Sequence, residues 1–114
     1  MAVDRLLDVV DTIRVIKPST LRQCSIDQPR AKEQLEAWYA IVKKAKWQHP
    51  PDMQKSFPKV DPTKVKSGKT VYIFNIRRNE FRLVCAIHFD RQKVFLLRFM
   101  THAEYEKGDW KNES

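Results

Sequence analysis

The apolar positions change their period near Lys69, dividing the chain into a helical half and a strand half. Over the first 13 residues Val3, Leu6, Leu7, Val10 and Ile13 recur at helical spacing between Asp4, Asp8 and Asp11, which predicts a short amphipathic helix. Ile13 to Lys17 is a brief β-prone run stopped by Pro18, and Ser19 and Thr20 are placed to cap a short helix around Leu21. From Pro29 to Trp47 the residues Ala31, Leu35, Trp38, Val42 and Ala45 step by four, three, four and three, one continuous apolar stripe. Asp27 is the expected cap, and Pro29 falls in the first turn, where its missing N–H costs nothing. Glu33 and Glu36 precede Lys43, Lys44 and Lys46, the order that the helix dipole favours. His49-Pro50-Pro51 is expected to end this helix, with one further turn over Asp52 to Phe57.

Beyond Lys69 the pattern is that of strands. Thr70 to Ile76, Glu80 to Phe89 and Lys93 to Phe99 are rich in Val, Ile, Phe, Tyr and Leu. Their separators, Arg77-Arg78-Asn79 and Asp90-Arg91-Gln92, are short enough to predict an antiparallel meander. Thr101 can cap a closing helical turn, with Glu104 at the capping-box position. Alternation puts Phe81, Leu83, Cys85, Ile87 and Phe89 on one face, toward the helices, and Arg82, Val84, Ala86 and His88 on the other. In the third run it separates Phe95, Leu97 and Phe99 from Val94, Leu96 and Arg98. The fold class is therefore α+β: N-terminal helices packed on one face of a small antiparallel sheet.

Composition narrows the function. A chain of 114 residues fits one domain, read here as 1–114, with 1–13 an extra N-terminal helix and 14–107 the core. Gly68 and Gly108 are the only glycines, so no Gly-rich phosphate loop can be written. Cys24 and Cys85 have no metal-box spacing, Cys85 reads as a buried small hydrophobe, and neither a metal nor a cofactor is expected. No apolar run approaches the roughly 18 residues of a membrane span, and the aspartates near the start break any signal-peptide core. The expectation is a reduced cytoplasmic protein with no membrane partner. The net charge of +8 calls for a polyanion, and eight lysines against two acids between Lys43 and Lys69 hold most of it. That run fits a solvated surface as well as a track for a phosphate backbone.

Arg82 and Arg98 interrupt apolar strands. Each fits a strand-end residue in solvent or paired with Glu80 or Glu104. Together they also fit a cationic patch whose planar guanidiniums grip a phosphate by two parallel hydrogen bonds. His102 and Tyr105 follow, three apart, on one face of the closing turn. Two arginines with a histidine and a tyrosine suit phosphodiester chemistry: charge stabilisation on phosphorus, proton transfer, and stacking on a base. A capping imidazole and a packing aromatic remain the other readings of that pair.

The stretch from Val71 to Val84, VYIFNIRRNEFRLV, resembles the "VFNI-x-x-N-x-[YF]-R-L" segment of HigB-type toxins, in the RelE/ParE superfamily of toxin–antitoxin systems. Val94 to Lys107, VFLLRFMTHAEYEK, resembles that family's "V-[YF]-I-R-F-x-x-T-H-x-E-Y-[DE]-K" ending. Leu35-Glu36-Ala37-Trp38-Tyr39 and Ala45-Lys46-Trp47 resemble its central helix, so the similarity runs from about Arg14 to Lys107. The resemblance implies a RelE-like fold and a metal-independent mRNA endoribonuclease, ribosome-associated, acting through the ribose 2′-hydroxyl on the adjacent phosphate. It implies a cognate antitoxin, HigA-like with a helix-turn-helix. It carries over Arg82 and Arg98 as phosphate binders, and His102 and Tyr105 as groups for proton transfer or stacking. Asn75, Asn79 and Lys107 match motif positions, although Asn79 also fits a turn residue. Arg77, Arg78 and, just ahead of the first strand of the meander, Lys69 complete the RNA-binding candidates. Two departures stand out: residues 1–13 precede the usual start, and Arg77-Arg78 stands where relatives often carry Gly. A non-enzymatic ParE-like toxin and a plain RNA- or protein-binding module remain the alternatives.

Overall fold

Three strands foreseen from alternation form the three central positions of a five-stranded sheet in the computed structural model, which describes residues 13–112. The elements are β1 (Arg14–Ile16), α1 (Ser19–Asp27), a 3₁₀ turn (Pro29–Ala31), α2 (Lys32–Val42), α3 (Pro50–Ser56), β2 (Asp61–Lys64), β3 (Thr70–Ile76), β4 (Phe81–His88), β5 (Lys93–Thr101), α4 (His102–Lys107) and a 3₁₀ turn (Asp109–Asn112). Strand order is β1-β5-β4-β3-β2. The β2–β3–β4–β5 pairs are antiparallel, and β1 lies parallel to β5. The helix expected over 1–13 falls outside the described residues, apart from Ile13.

The helical stripe does what its spacing requires. Ala31, Leu35, Trp38 and Val42 are buried against Tyr72, Phe74, Ile76, Leu83 and Cys85 of the sheet, joined by Leu21 of α1 and Met53 of α3. Burying aliphatic and aromatic side chains this fully stabilises by about 1.5–3 kcal/mol each. Trp38 and Phe57 both meet Phe74 edge to face, at 5.4 and 5.0 Å between ring centres.

Four expectations are corrected. The helix from Pro29 to Trp47 is shorter: it opens as a 3₁₀ turn and its α-helical part stops at Val42. Asp27 ends α1 and caps nothing, and Pro18 rather than Ser19 or Thr20 holds the cap position of α1. Pro50-Pro51 starts α3 and does not stop α2, which has already ended at Val42: proline's φ suits a first turn, and the Asp52 carboxylate accepts from the Gln48 and His49 N–H groups ahead of it. Strand β2 carried no signal, since Asp61, Pro62 and Lys64 are residues an edge strand tolerates and a central one does not.

The fourth correction bears on the site. Val94 and Leu96 pack into the helix-facing core together with Phe99, from which alternation had separated them, and apart from Arg98, with which it had grouped them. Val84 pairs with Arg98 but Cys85 pairs with Leu96, so Leu97 is an extra residue, a β-bulge. The bulge resets the alternation and turns Arg98 to the face opposite the helices. That face is not bare: Val65, Val71, Ile73, Val84 and Met100 form a second small core under Trp110, with Tyr105 packed against it.

Candidate active site

On the face away from the helices, strand register sets the candidates in rows. Asn75 pairs with Arg82, and Arg82 with Met100; one row along, Ile73 pairs with Val84, and Val84 with Arg98. Arg82 and Arg98 are thus diagonal neighbours, a relation that spans about 7–8 Å in a sheet. Residue by residue along β4, only Arg82 is a buried charged side chain among the described residues, 8% exposed.

A buried guanidinium needs partners, and Arg82 has them. Its Nη1 donates to the carbonyls of Asn79 (3.0 Å) and Phe81 (3.2 Å). The guanidinium lies over the Tyr105 ring, 5.0 Å from its centre, and Nη2 is 3.4 Å from His102 Nδ1. Because a guanidinium has no lone pair, Nδ1 is the acceptor there, and the ring proton sits on Nε2, which faces the Glu106 carboxylate at 3.6 Å. Tyr105 also stacks on Trp110, 5.7 Å between ring centres, and its carbonyl accepts from the Trp110 indole N–H. Burial first, then the Asp61 carboxylate, raises the Tyr105 hydroxyl pKa, with Arg82 opposing and Glu106 adding to the rise. The tyrosine is therefore a proton or hydrogen-bond donor at neutral pH.

What delivers His102 and Tyr105 is a six-residue helix. Thr101 Oγ1 accepts from the Glu104 N–H, Glu104 accepts from the Thr101 N–H, and the His102 N–H donates to the Glu80 carbonyl at 2.8 Å. Gly108 closes α4 in the left-handed region at φ 77°. The capping box read from the sequence is thus present.

The β3–β4 turn is unusual. Arg77 and Arg78 both have positive φ, 52° and 60°, a conformation that favours glycine. The Arg77 side chain reaches the Arg30 carbonyl (3.3 Å) and lies 3.7 Å from Glu80, which Arg30 also meets at 2.7 Å. Arg77, Arg78 and Asn79 share a cleft with His102 and Gln34. Arg78 and Asn79 also line a second cleft with Asn75, Lys59 and Phe57. Arg98 lines two more, one with Lys107, Glu104 and Trp110, the other with Lys69 and His88.

The structure thus brings Arg82, His102 and Tyr105 into contact, puts Asn75 and Arg98 on their face, and leaves Arg77, Arg78, Lys69 and Lys107 on the rims. Three neighbours were not singled out from the sequence. Trp110 follows a helix-ending glycine, a signal for a chain folding back. Gln34, whose buried Oε1 has no hydrogen-bond partner, and Asp61 gave no signal, since each acts through a pairing of distant segments. Among the described residues no helix is long and apolar enough to cross a membrane.

A family model described as the RelE-like toxic component of a toxin–antitoxin system, the HigB toxin, matches residues 31–108. The chain is similar to "mRNA interferase toxin HigB" of Escherichia coli strain K12, 29% identical over 94 residues that cover 82% of this chain and 88% of the relative. It is similar to the "mRNA interferase HigB" of Shigella flexneri to the same extent. With the protein of that name from Escherichia coli O6:H1 it is 24% identical over 95 residues, 83% of this chain and 90% of the relative.

Proposed function

Because the chain belongs to the HigB toxin family, RelE-like toxic components of toxin–antitoxin systems, we propose that it is a translation-inhibiting mRNA endoribonuclease held in check by a cognate antitoxin. The observation that carries this reading is the contact of Arg82 with both His102 and Tyr105, on the sheet face that also bears Arg98. Those side chains supply what cleavage by an internal nucleophile needs. The ribose 2′-oxygen bonds to the adjacent phosphorus, the bond to the 5′-oxygen breaks, and a 2′,3′-cyclic phosphate and a 5′-hydroxyl remain. Arg98 and Arg82 stabilise the charge growing on the phosphoryl oxygens. As the phosphate draws Arg82 Nη2 away, Nδ1 of His102 is freed to take the 2′-hydroxyl proton. Tyr105, held protonated, donates to the leaving oxygen.

Each role is filled by the chain's own residues, so the reaction is proposed to need no metal and to persist in EDTA. Asn75, Arg77, Arg78, Lys69 and Lys107 hold the flanking RNA. The remaining parts of the proposal are action on translating ribosomes in the cytoplasm, a HigA-like helix-turn-helix antitoxin, and one catalytic domain built on the family-like core.

The test is growth arrest on expression in bacteria, with RNA cleavage assayed in purified extracts with and without ribosomes. Arg98→Ala is expected to relieve the arrest and lower cleavage by about two to three orders of magnitude, the usual cost of removing a charge-stabilising donor. Arrest that persists in that variant overturns the site. Arrest without any cleaved RNA indicates a toxin that acts by binding.

A further inference from the structure

We propose that the cleft bounded by Lys69, His88, Leu97 and Arg98 is a second RNA subsite, which holds a nucleotide several positions from the cleaved one. The inference rests on the ribonuclease reading and adds to it where the strand continues. Along β4 the residues Arg82, Val84, Ala86 and His88 share the face away from the helices. Six residues of strand span about 20 Å. A single strand rises about 3.4 Å per nucleotide when stacked, and more when extended, so the distance from Arg82 to His88 is the reach of several nucleotides.

Arg98 joins the two places. It stands on the diagonal from Arg82 at one end and lines this cleft of about 660 Å³ at the other. The size falls within the range of about 300–1,000 Å³ usual for ligand sites. The lining has the mixture that a nucleotide needs. Lys69 and Arg98 offer cations and His88 a further donor, Ser67 and Thr70 offer hydroxyls, and among the described residues no carboxylate lines it. Leu97 supplies an apolar wall, and it does so only because of the bulge, which turns this leucine outward to 45% exposure. This half-exposed leucine stands beside three basic side chains. It suits a partner that is anionic and flat-faced at once, as a phosphate with its base is. His88 is steadied edge-on by Phe95, 5.2 Å between ring centres, which leaves a fixed surface for such a partner.

The subsite predicts that binding depends on RNA length. Labelled 2′-O-methyl RNAs of four and ten nucleotides, which cannot be cleaved, would be titrated with the full chain by fluorescence anisotropy. One ten-nucleotide series is extended 5′ and the other 3′. The unmodified protein is expected to bind one extended series at least about tenfold tighter than the four-nucleotide RNA. His88→Ala and, separately, Leu97→Ser are expected to remove most of that gain while leaving the short RNA's affinity and the thermal midpoint unchanged. Equal affinity for short and extended RNA overturns the subsite, as do variants that keep the gain or weaken both RNAs alike. Variants that keep the gain but lose an acidic partner protein overturn it in favour of a protein surface. Length-dependent binding without cleavage in the separate activity assay would instead sink the ribonuclease reading, so the two failures are distinguishable.

Discussion

Arg78 shows how a single residue can carry two opposed demands. Its backbone is left-handed, as is that of Arg77 before it, in a four-residue connection where glycine is the comfortable choice. A side chain that extends into the two clefts beside Asn75 and His102 is a reason for arginine to stand there nonetheless. Backbone strain of this kind persists where the site uses the residue. Arg78→Gly is therefore expected to raise unfolding stability by about 1 kcal/mol, measured by urea denaturation. The same variant should weaken RNA binding and flatten its log–log salt dependence by about 0.7, the contribution of one phosphate contact to a single strand. A variant less stable than the parent would show that the arginine side chain holds the turn. Arg82 differs: its two backbone carbonyls, His102 and Tyr105 tie it into the fold, so its removal disturbs structure and chemistry together.

At the scale of elements, α4 is too short to stand alone. Six residues lie well below the length at which an isolated helix forms, so the ends and the packing hold it. Thr101 and Glu104 close its start, Gly108 its end, and Trp110 folds back over Tyr105. Thr101→Ala is expected to cost about 1 kcal/mol of stability. It should lower RNA cleavage more than that loss explains, because His102 and Tyr105 lose their fixed approach to Arg82. Thr101→Ser, which keeps the acceptor oxygen, should restore both; failure of the serine variant to do so would mean the methyl group and not the cap matters. This helix was legible from Thr101, Glu104 and the strand before it. The bulge at Leu97 was not, since it is a property of the pairing of β5 with β4 and leaves β5's own composition unchanged.

For the molecule as a whole, two cores share one sheet, and a tyrosine packs in each: Tyr72 buried under the helices and Tyr105 half-buried beside the C-terminal fold-back. Burial raises the pKa of both hydroxyls, and that of the wholly buried Cys85 thiol. A group whose folded pKa lies above its unfolded one stabilises the fold fully below the unfolded value, and that contribution disappears as pH rises through the folded value. Unfolded thiols and phenols titrate at about 8.5 and 10. The urea midpoint should therefore hold up to about pH 8.5 and decline beyond it, most steeply above about pH 10. Tyr105→Phe should decline less over the same upper range; an identical decline would show that Tyr105 is not held protonated by the fold. The charge of +8 also resolves at this scale. Of the lysines between Lys43 and Lys69, Lys59 lines the cleft beside Asn75, and Lys69 the one beside Arg98.

The sequence by itself determined the α+β class, the apolar stripe of α2, the three-strand meander and the cap of α4, because each follows from neighbours along the chain. It also marked Arg82, His102 and Tyr105, whose spacing on one strand and one turn is local. Arg98 was marked with them, but only the tertiary structure decided how it reaches their face. Simple alternation put Arg98 with Val94 and Leu96, yet those two are in the core, and only the extra residue at Leu97 turns the arginine to the other face. It alone decided, too, that this face is roofed by Trp110, and that β2 brings Asp61 close enough to act on Tyr105. Register, bulges and roofs are settled by which strands meet, and that depends on contacts between segments far apart in the chain.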